Sequence, residues 1–274
     1  MKFETLLVER DGPLGRLTLN RPERLNAINA QMLKELAEAA YWFDQQPDLR
    51  VVIVAGKGRV FSAGADLKDA ARGTVKKDTS VPIPCFDRRE AAQLGTRMAA
   101  AIENMRATTI AQLQGHVIGG GVVLALACDL RIAAEGTVFL IPEVDLGVPL
   151  AWGGIPRLVR EIGPALTKEL VMTCRPFSPE EAKAMGFVNR VVALDDLEAQ
   201  VQQLADELVS KPAVPLGITK AQVNYYARMM AMDAPYDGEM LMSMSTYPET
   251  AEAGIAYRER TIGKKKSSIV RPEN

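Results

Sequence analysis

The sequence is poor in the residue types that build metal centres and disulfide frameworks. Its 274 residues include three cysteines and a single histidine. Cys85, Cys128 and Cys174 stand far apart and are odd in number, so they match neither a zinc spacing nor a disulfide pattern and suit a reducing cytoplasm. Charge of one sign is also lacking. With 33 basic and 34 acidic residues the formal net charge is −1, which gives no general attraction to nucleic acid or to an anionic membrane. Long hydrophobic runs are missing as well: the uncharged stretch near the glycines is broken by glycine and polar residues and holds far fewer consecutive apolar residues than the ~20 a span requires. The opening MKFETLLVERDG is too charged for a secretory signal. Repeats and low-complexity segments are absent. The expectation is a soluble cytoplasmic protein without metal, nucleic acid or membrane partners. With 47% apolar residues, it has enough for a sizeable core.

Along the chain, β-forming residues at 5–10 and 14–20 flank Asp11-Gly12-Pro13, a hairpin signal. Helical spacing runs from Asn26 to Phe43. RVVIVAG at 50–56 reads as a strand covered on both faces, with further strands at 109–115, 130–136 and 189–194. Helical stretches at 88–106, 121–128, 156–162, 164–173 and 179–185 separate them, so the expected class is α/β, built from βα-type units. Residues 73–87 are polar and proline-bearing and read as a loop, either a plain insertion or a lid. After about Asp195 the chain turns strongly helical, which divides it into a 1–195 core and a 196–274 helical region suited to an oligomer contact.

The chemistry concentrates in two glycine-bearing turns. Gly119-Gly120-Gly121 precede the uncharged run Val122 to Cys128. A helix that starts on glycine offers free N–H groups and lets a ligand reach the backbone. Such a start can bind phosphate, hold a developing oxyanion, or simply pack closely. No GxxxxGK[ST] and no GxGxxG opening a helix after a first strand supports a phosphate loop, and no lysine follows the glycines. Ser62-Ala63-Gly64-Ala65, after the first buried strand, forms a second small-residue turn able to contribute another N–H to the same oxygen.

Several segments in register resemble the crotonase, or enoyl-CoA hydratase/isomerase, superfamily: LNRPERLNAIN (19–29), FSAGADL (61–67), QGHVIGGGVVLALACDLRIAAE (114–135), PEVDLGV (142–148), GGIPRLVREIG (153–163) and SPEEAKAMGFVNRVV (178–192). The resemblance implies the crotonase (ClpP-like) spiral of repeated ββα units, followed by a C-terminal helical trimerisation region, as a homotrimer or a dimer of trimers. It also implies an acyl-CoA substrate, with coenzyme A as part of that substrate and no tightly bound cofactor. Two backbone N–H groups would hold the thioester oxygen, matched here to Ala63 and Gly120. Pre-aimed donors of this kind supply about 3–4 kcal/mol each.

The same resemblance frames the proton-moving group. Family hydratases carry two glutamates; one is matched by Glu143 in Pro142-Glu143, while the position of the other is Val123. Valine cannot orient water. One carboxylate suffices to move a proton between two carbons of an enolisable acyl chain, so isomerisation of a 3-enoyl to a 2-enoyl thioester is the leading expectation. Hydration, decarboxylation or retro-aldol cleavage through an enolate, and a non-catalytic acyl-CoA-binding role are the alternatives. The apolar run before Glu143 should raise its pKa. Asp145, two residues on, would point to the opposite face if the segment is extended. Arg24, Ala65, Asp66, Leu67, Val123 and Trp152 are expected around the substrate, with Arg24 and Lys68 candidates for coenzyme A phosphates. His116 has no nucleophile partner and reads as structural. Lys264-Lys265-Lys266 reads as a solvated tail or a phosphate contact, and the helix bearing Tyr257 and Arg260 should lie near the pocket.

Overall fold

The computed structural model describes residues 2–68, 85–233, 237–238 and 247–262. Its main sheet has six strands. Strands β1 (Leu6–Asp11) and β2 (Leu14–Leu19) form the expected hairpin, antiparallel, with Leu6 opposite Leu19. Strands β3 (Val51–Gly56), β4 (Thr108–Leu113), β6 (Leu130–Ala134) and β8 (Arg190–Val192) then add in parallel, giving the order β1-β2-β3-β4-β6-β8. Every residue of β3 is buried, because alternate side chains enter different cores. Val52 and Val54 join the larger core, while Val51 and Ile53 join a second one.

A smaller layer explains how the functional turns meet. Strands β5 (His116–Ile118) and β7 (Val138–Leu140) pair in parallel. Single bridges extend this pair: Ile28 to Ala65, Ser62 to Val117, and Phe139 to Phe177. Successive units thus give one strand to the large sheet, a short extended piece to this layer, and then a helix. That is the ββα spiral expected from the resemblance.

The helices are α1 (Ala30–Asp44), α2 (Cys85–Glu103), α3 (Gly120–Ala127), α4 (Gly154–Thr173), α5 (Pro179–Ala184), α6 (Leu197–Ser210), α7 (Ala213–Met230) and α8 (Pro248–Ile262). Helix α1 starts four residues later than the apolar spacing predicts. Leu25 and Asn26 take positive φ of 53° and 52°, which no helix tolerates, and the Asn29 side chain caps the true start by accepting from Met32 N at 2.9 Å. The two helices expected at 156–162 and 164–173 run together as α4, with the break confined to Gly163 ahead of Pro164.

The division expected at 195–196 does not coincide with a break in packing. Helix α6 buries Leu197, Val201, Leu204 and Ala205 against Val51, Ile53, Ile110 and Ile132, covering the sheet face opposite the main core. Burial of each such leucine or valine is worth about 1.5–3 kcal/mol, so α6 belongs to the core. Of the loop expected at 73–87, residues 73–84 lie outside the described residues, and 85–87 open α2 as helix instead. Lys264 to Lys266 also lie outside them. Among the described residues no helix is long and apolar enough to cross a membrane.

Candidate active site

The first turn is pinned by an inventory of hydrogen bonds that leaves one amide over. Ser62 N donates to His116 O (3.0 Å), Ala63 N to Leu25 O (2.9 Å), Gly64 N to the Ser62 hydroxyl (3.1 Å) and Asp66 N to Ile28 O (2.9 Å). Ala65 N alone in this run has no acceptor among the described residues, and Ala65 is exposed. This corrects the expectation for Ala63, whose N–H is already committed to Leu25 and is not free to meet a ligand. The reason is register. Ala65 bridges Ile28, whose own N–H and C=O are taken by Gly64 O and Asp66 N on either side, so the Ala65 N–H points away from that strand.

The second turn meets the first directly. Ile118 N donates to Ser62 O (3.1 Å) and Gly119 N to Leu140 O (2.8 Å). Gly120 opens α3, so its N–H has no intrahelical acceptor. Gly64, at φ +83°, shows how tightly the turns abut: a β-carbon there would sit 2.6 Å from Ile118 O and 3.5 Å from Gly120 N. Only glycine permits both the conformation and the approach.

Glu143 faces this junction. A β-carbon on Gly119, at φ +48°, would lie 2.5 Å from Glu143 Oε1, so the missing side chain makes room for the carboxylate. Oε2 is closed to solvent and has no hydrogen-bond partner among the described residues. Burial pushes the Glu143 pKa up to about 7, since a carboxylate without water or a counter-ion resists ionising. A buried carboxyl oxygen left without a partner is costly for stability and is the kind of group that active sites retain.

Val123 is buried on α3, and its Cγ2 lies 2.9 Å from the place a Gly154 β-carbon would take. The position therefore carries packing and no charge. The Trp152 indole lies between two glycines: β-carbons on Gly95 and Gly120 would fall 2.1 Å and 2.2 Å from its ring atoms. The expected wall residue thus sits against Gly120.

Other expected residues serve different ends. The Asp66 carboxylate pairs with Arg21 (3.0 Å) and accepts from Lys68 N (3.2 Å), fastening the turn to the 21–27 segment. Asn26 does likewise, donating to Lys57 O and Val60 O. Arg24 is exposed in a short 3-10 turn, Pro22–Arg24, and Leu67 is half-buried. Asp145 lies on a turn, with Leu146 N donating to Pro142 O, rather than on an extended strand; its carboxylate is held by Arg260 at 2.9 Å. His116 is half-buried, and its imidazole pKa is lowered first by burial and then by Arg59. Among the described residues no three His, Cys, Asp or Glu side chains cluster to hold a metal.

Helix α8 closes the site from the C-terminal side. Its Ala253 and Thr250 pack at Gly147, and Gly254 at Leu146 O. Tyr257 falls on the same face. Its phenol pKa is raised first by burial and further by the charges of Glu143 and Asp145, against a lowering bond with Thr261. The family resemblance placed this helix near the pocket without assigning Tyr257 a role, because nothing in its spacing reveals which loop it meets.

Two adjoining turns with spare amides thus lie beside one buried carboxyl on a ββα spiral, an arrangement able to hold an anionic oxygen next to a group that carries a proton. The comparisons agree. The family model for enoyl-CoA hydratase/isomerase matches residues 9–264, and the chain belongs to that family, the crotonase superfamily. A protein of Mycobacterium tuberculosis named probable enoyl-CoA hydratase is 35% identical over 261 residues, covering 95% of this chain and 97% of its own. A carnitinyl-CoA dehydratase of Salmonella typhi is 39% identical over 225 residues, 82% of this chain and 81% of its own. The crystal structure of an enoyl-CoA hydratase from Mycobacterium avium subsp. paratuberculosis superposes with a TM-score of 0.82 at 24% identity, covering 94% of this chain and 97% of that one. The family acts on acyl-CoA thioesters.

Proposed function

We propose that the protein isomerises a 3-enoyl-CoA to the 2-enoyl-CoA, with Glu143 as the one acid/base. The thioester oxygen would sit between the amides of Ala65 and Gly120, which favour the enolate as negative charge builds on that oxygen. Glu143 would take a proton from C2, next to the thioester carbonyl, and return it to C4, the far end of the original double bond, as the electrons settle between C2 and C3. A pKa near 7 suits a group that must both accept and release a proton. The observation that carries this reading is the lone carboxylate: Val123 supplies no second group to activate water.

A hydratase is the second reading, favoured by relatives that bear that name, among them the crotonyl-CoA hydratase of Syntrophomonas wolfei at 33% identity. Glu143 would then act on water alone, without a second carboxylate to orient it. The test is direct. Purified protein is given 3-enoyl-CoA and 2-enoyl-CoA of matched length, and the rates are compared. Faster isomerisation supports the first reading; dominant hydration establishes the second.

Coenzyme A would enter only as part of the substrate, with Arg24 and Lys68 near its phosphates. Assembly as a trimer, or a dimer of trimers, is supported by α7, where Val214, Ile218, Tyr225 and Met229 lie exposed along one stripe. A cytoplasmic setting accords with the free thiols of Cys128 and Cys174.

A further inference from the structure

Trp152 holds a backbone conformation that a tryptophan does not adopt unaided. Its φ is +58°, and that of Gly153 is +71°. A bulky side chain in this region clashes with its own carbonyl, so surrounding contacts must hold it there. The holding contacts converge on a residue from the chain between α7 and α8. Asp237 Oδ2 accepts from Gly153 N at 2.5 Å, and Asp237 Oδ1 accepts from Thr96 Oγ1 at 2.9 Å. Arg157 Nη1 donates to Gly153 O at 3.0 Å and completes the grip on the turn.

These bonds bracket the indole. Thr96 follows Gly95, whose missing β-carbon admits one side of the ring, and Gly153 follows Trp152 itself. The far end of the ring rests on Gly120, whose N–H is the proposed oxyanion donor. Asp237 therefore fastens both backbone segments that fix the ring, and it is itself buried at 9% exposure. A carboxylate is expensive to bury unless its oxygens are used, and here both are used on these two segments.

We propose that Asp237 is a positioning residue for catalysis: by fixing the Trp152-Gly153 turn, it keeps the indole flush on Gly120 and keeps that amide aimed and dry. The proposal rests on the reading of Gly120 as an oxyanion donor. It makes the C-terminal chain a working part of the acyl site, acting through Trp152 without touching substrate.

The sequence has two tryptophans, so Trp42→Phe leaves Trp152 as the sole indole reporter. In that background, Asp237→Ala should raise acrylamide quenching of Trp152 at least twofold. It should also lower kcat about tenfold, on whichever of 3-enoyl-CoA and 2-enoyl-CoA the parent turns over faster, while KM changes less than threefold. Asp237→Asn should restore both, because its amide oxygen can accept from Gly153 and its NH2 can donate to Thr96. If Asp237→Ala does not fold, Thr96→Val removes one of the two anchors and should move both readouts in the same direction by a smaller factor. Unchanged quenching in a folded variant overturns the proposal, as does raised quenching with unchanged kcat. The parent reading is checked separately by the infrared carbonyl stretch of a bound thioester. A parent protein that leaves this stretch at its solution frequency removes the oxyanion reading itself. A shifted stretch in the parent with a silent Asp237→Ala removes only the role of Asp237.

Discussion

At the scale of single residues, the account rests on what Glu143 has and what Val123 lacks. Burial raises the Glu143 pKa from 4.5 to about 7, and the sign of the consequences follows. The unfolded chain ionises this group near pH 4.5, while the folded protein keeps it protonated until about pH 7. Stability is therefore lost as pH rises across that window, by about 3 kcal/mol in total. Activity moves the other way, since the base must be ionised. The profile of kcat/KM against pH should rise through an acid limb near 7, and Glu143→Gln should abolish the double-bond shift and remove the pH-dependent stability loss. An acid limb below pH 5 would show that the carboxyl is hydrated in solution. A second test converts the chemistry. Val123→Glu adds a carboxylate at the position where family hydratases carry one, and should raise hydration relative to isomerisation on the order of 10²-fold, matching the gain from one general acid–base group. Rates measured on both substrates decide it.

At the scale of elements, the two turns work because short strands bring them together. Gly64→Ala would force a β-carbon to within 2.6 Å of Ile118 O at a φ of +83° and push the turns apart. We expect at least a 100-fold loss of kcat/KM in a folded protein. Gly136→Ala is the control: its φ is also positive, at +73°, but nothing lies within 4 Å. That change should cost about 1–2 kcal/mol of stability, read by urea titration, and leave turnover intact. The contrast shows what was legible beforehand. Strands such as RVVIVAG and the glycine helix start were plain from composition and period. The choice between Ala63 and Ala65 was not, because it depends on which amide the Leu25–Ile28 segment consumes, and pairing between distant segments leaves no periodic trace. The late start of α1 has the same origin: the helical spacing read from Asn26 onward takes no account of that residue's tie to the 57–60 loop, which bends Leu25 and Asn26 out of helix. Tyr257 and Asp237 escaped for a related reason, as each meets the site from a distant part of the sequence, Asp237 lying 84 residues from Gly153.

At the scale of the whole molecule, the chain behaves as a core with a helical tail that completes it. Helix α6 buries one sheet face, α8 lies on the Glu143 loop, and Asp237 reaches Gly153. Helix α7 keeps Val214, Ile218, Tyr225 and Met229 exposed along one stripe, the feature on which the proposal of assembly stands. Sedimentation should show an oligomer, and Ile218→Lys with Met229→Lys should shift it toward single subunits; a parent that sediments as a monomer would contradict this. The pair between Arg260 on α8 and Asp145 on the Glu143 loop is exposed, so it adds little stability, and salt should affect it more than the buried site beneath.

The central claim, one carboxyl moving a proton beside two amides, is met most directly by following 3-enoyl-CoA turnover in deuterated water by NMR. The double bond should move to the 2-position faster than any hydroxyl is added, and Glu143→Gln should stop this movement. Hydroxyacyl-CoA appearing first, or a double-bond shift that survives Glu143→Gln, would contradict it.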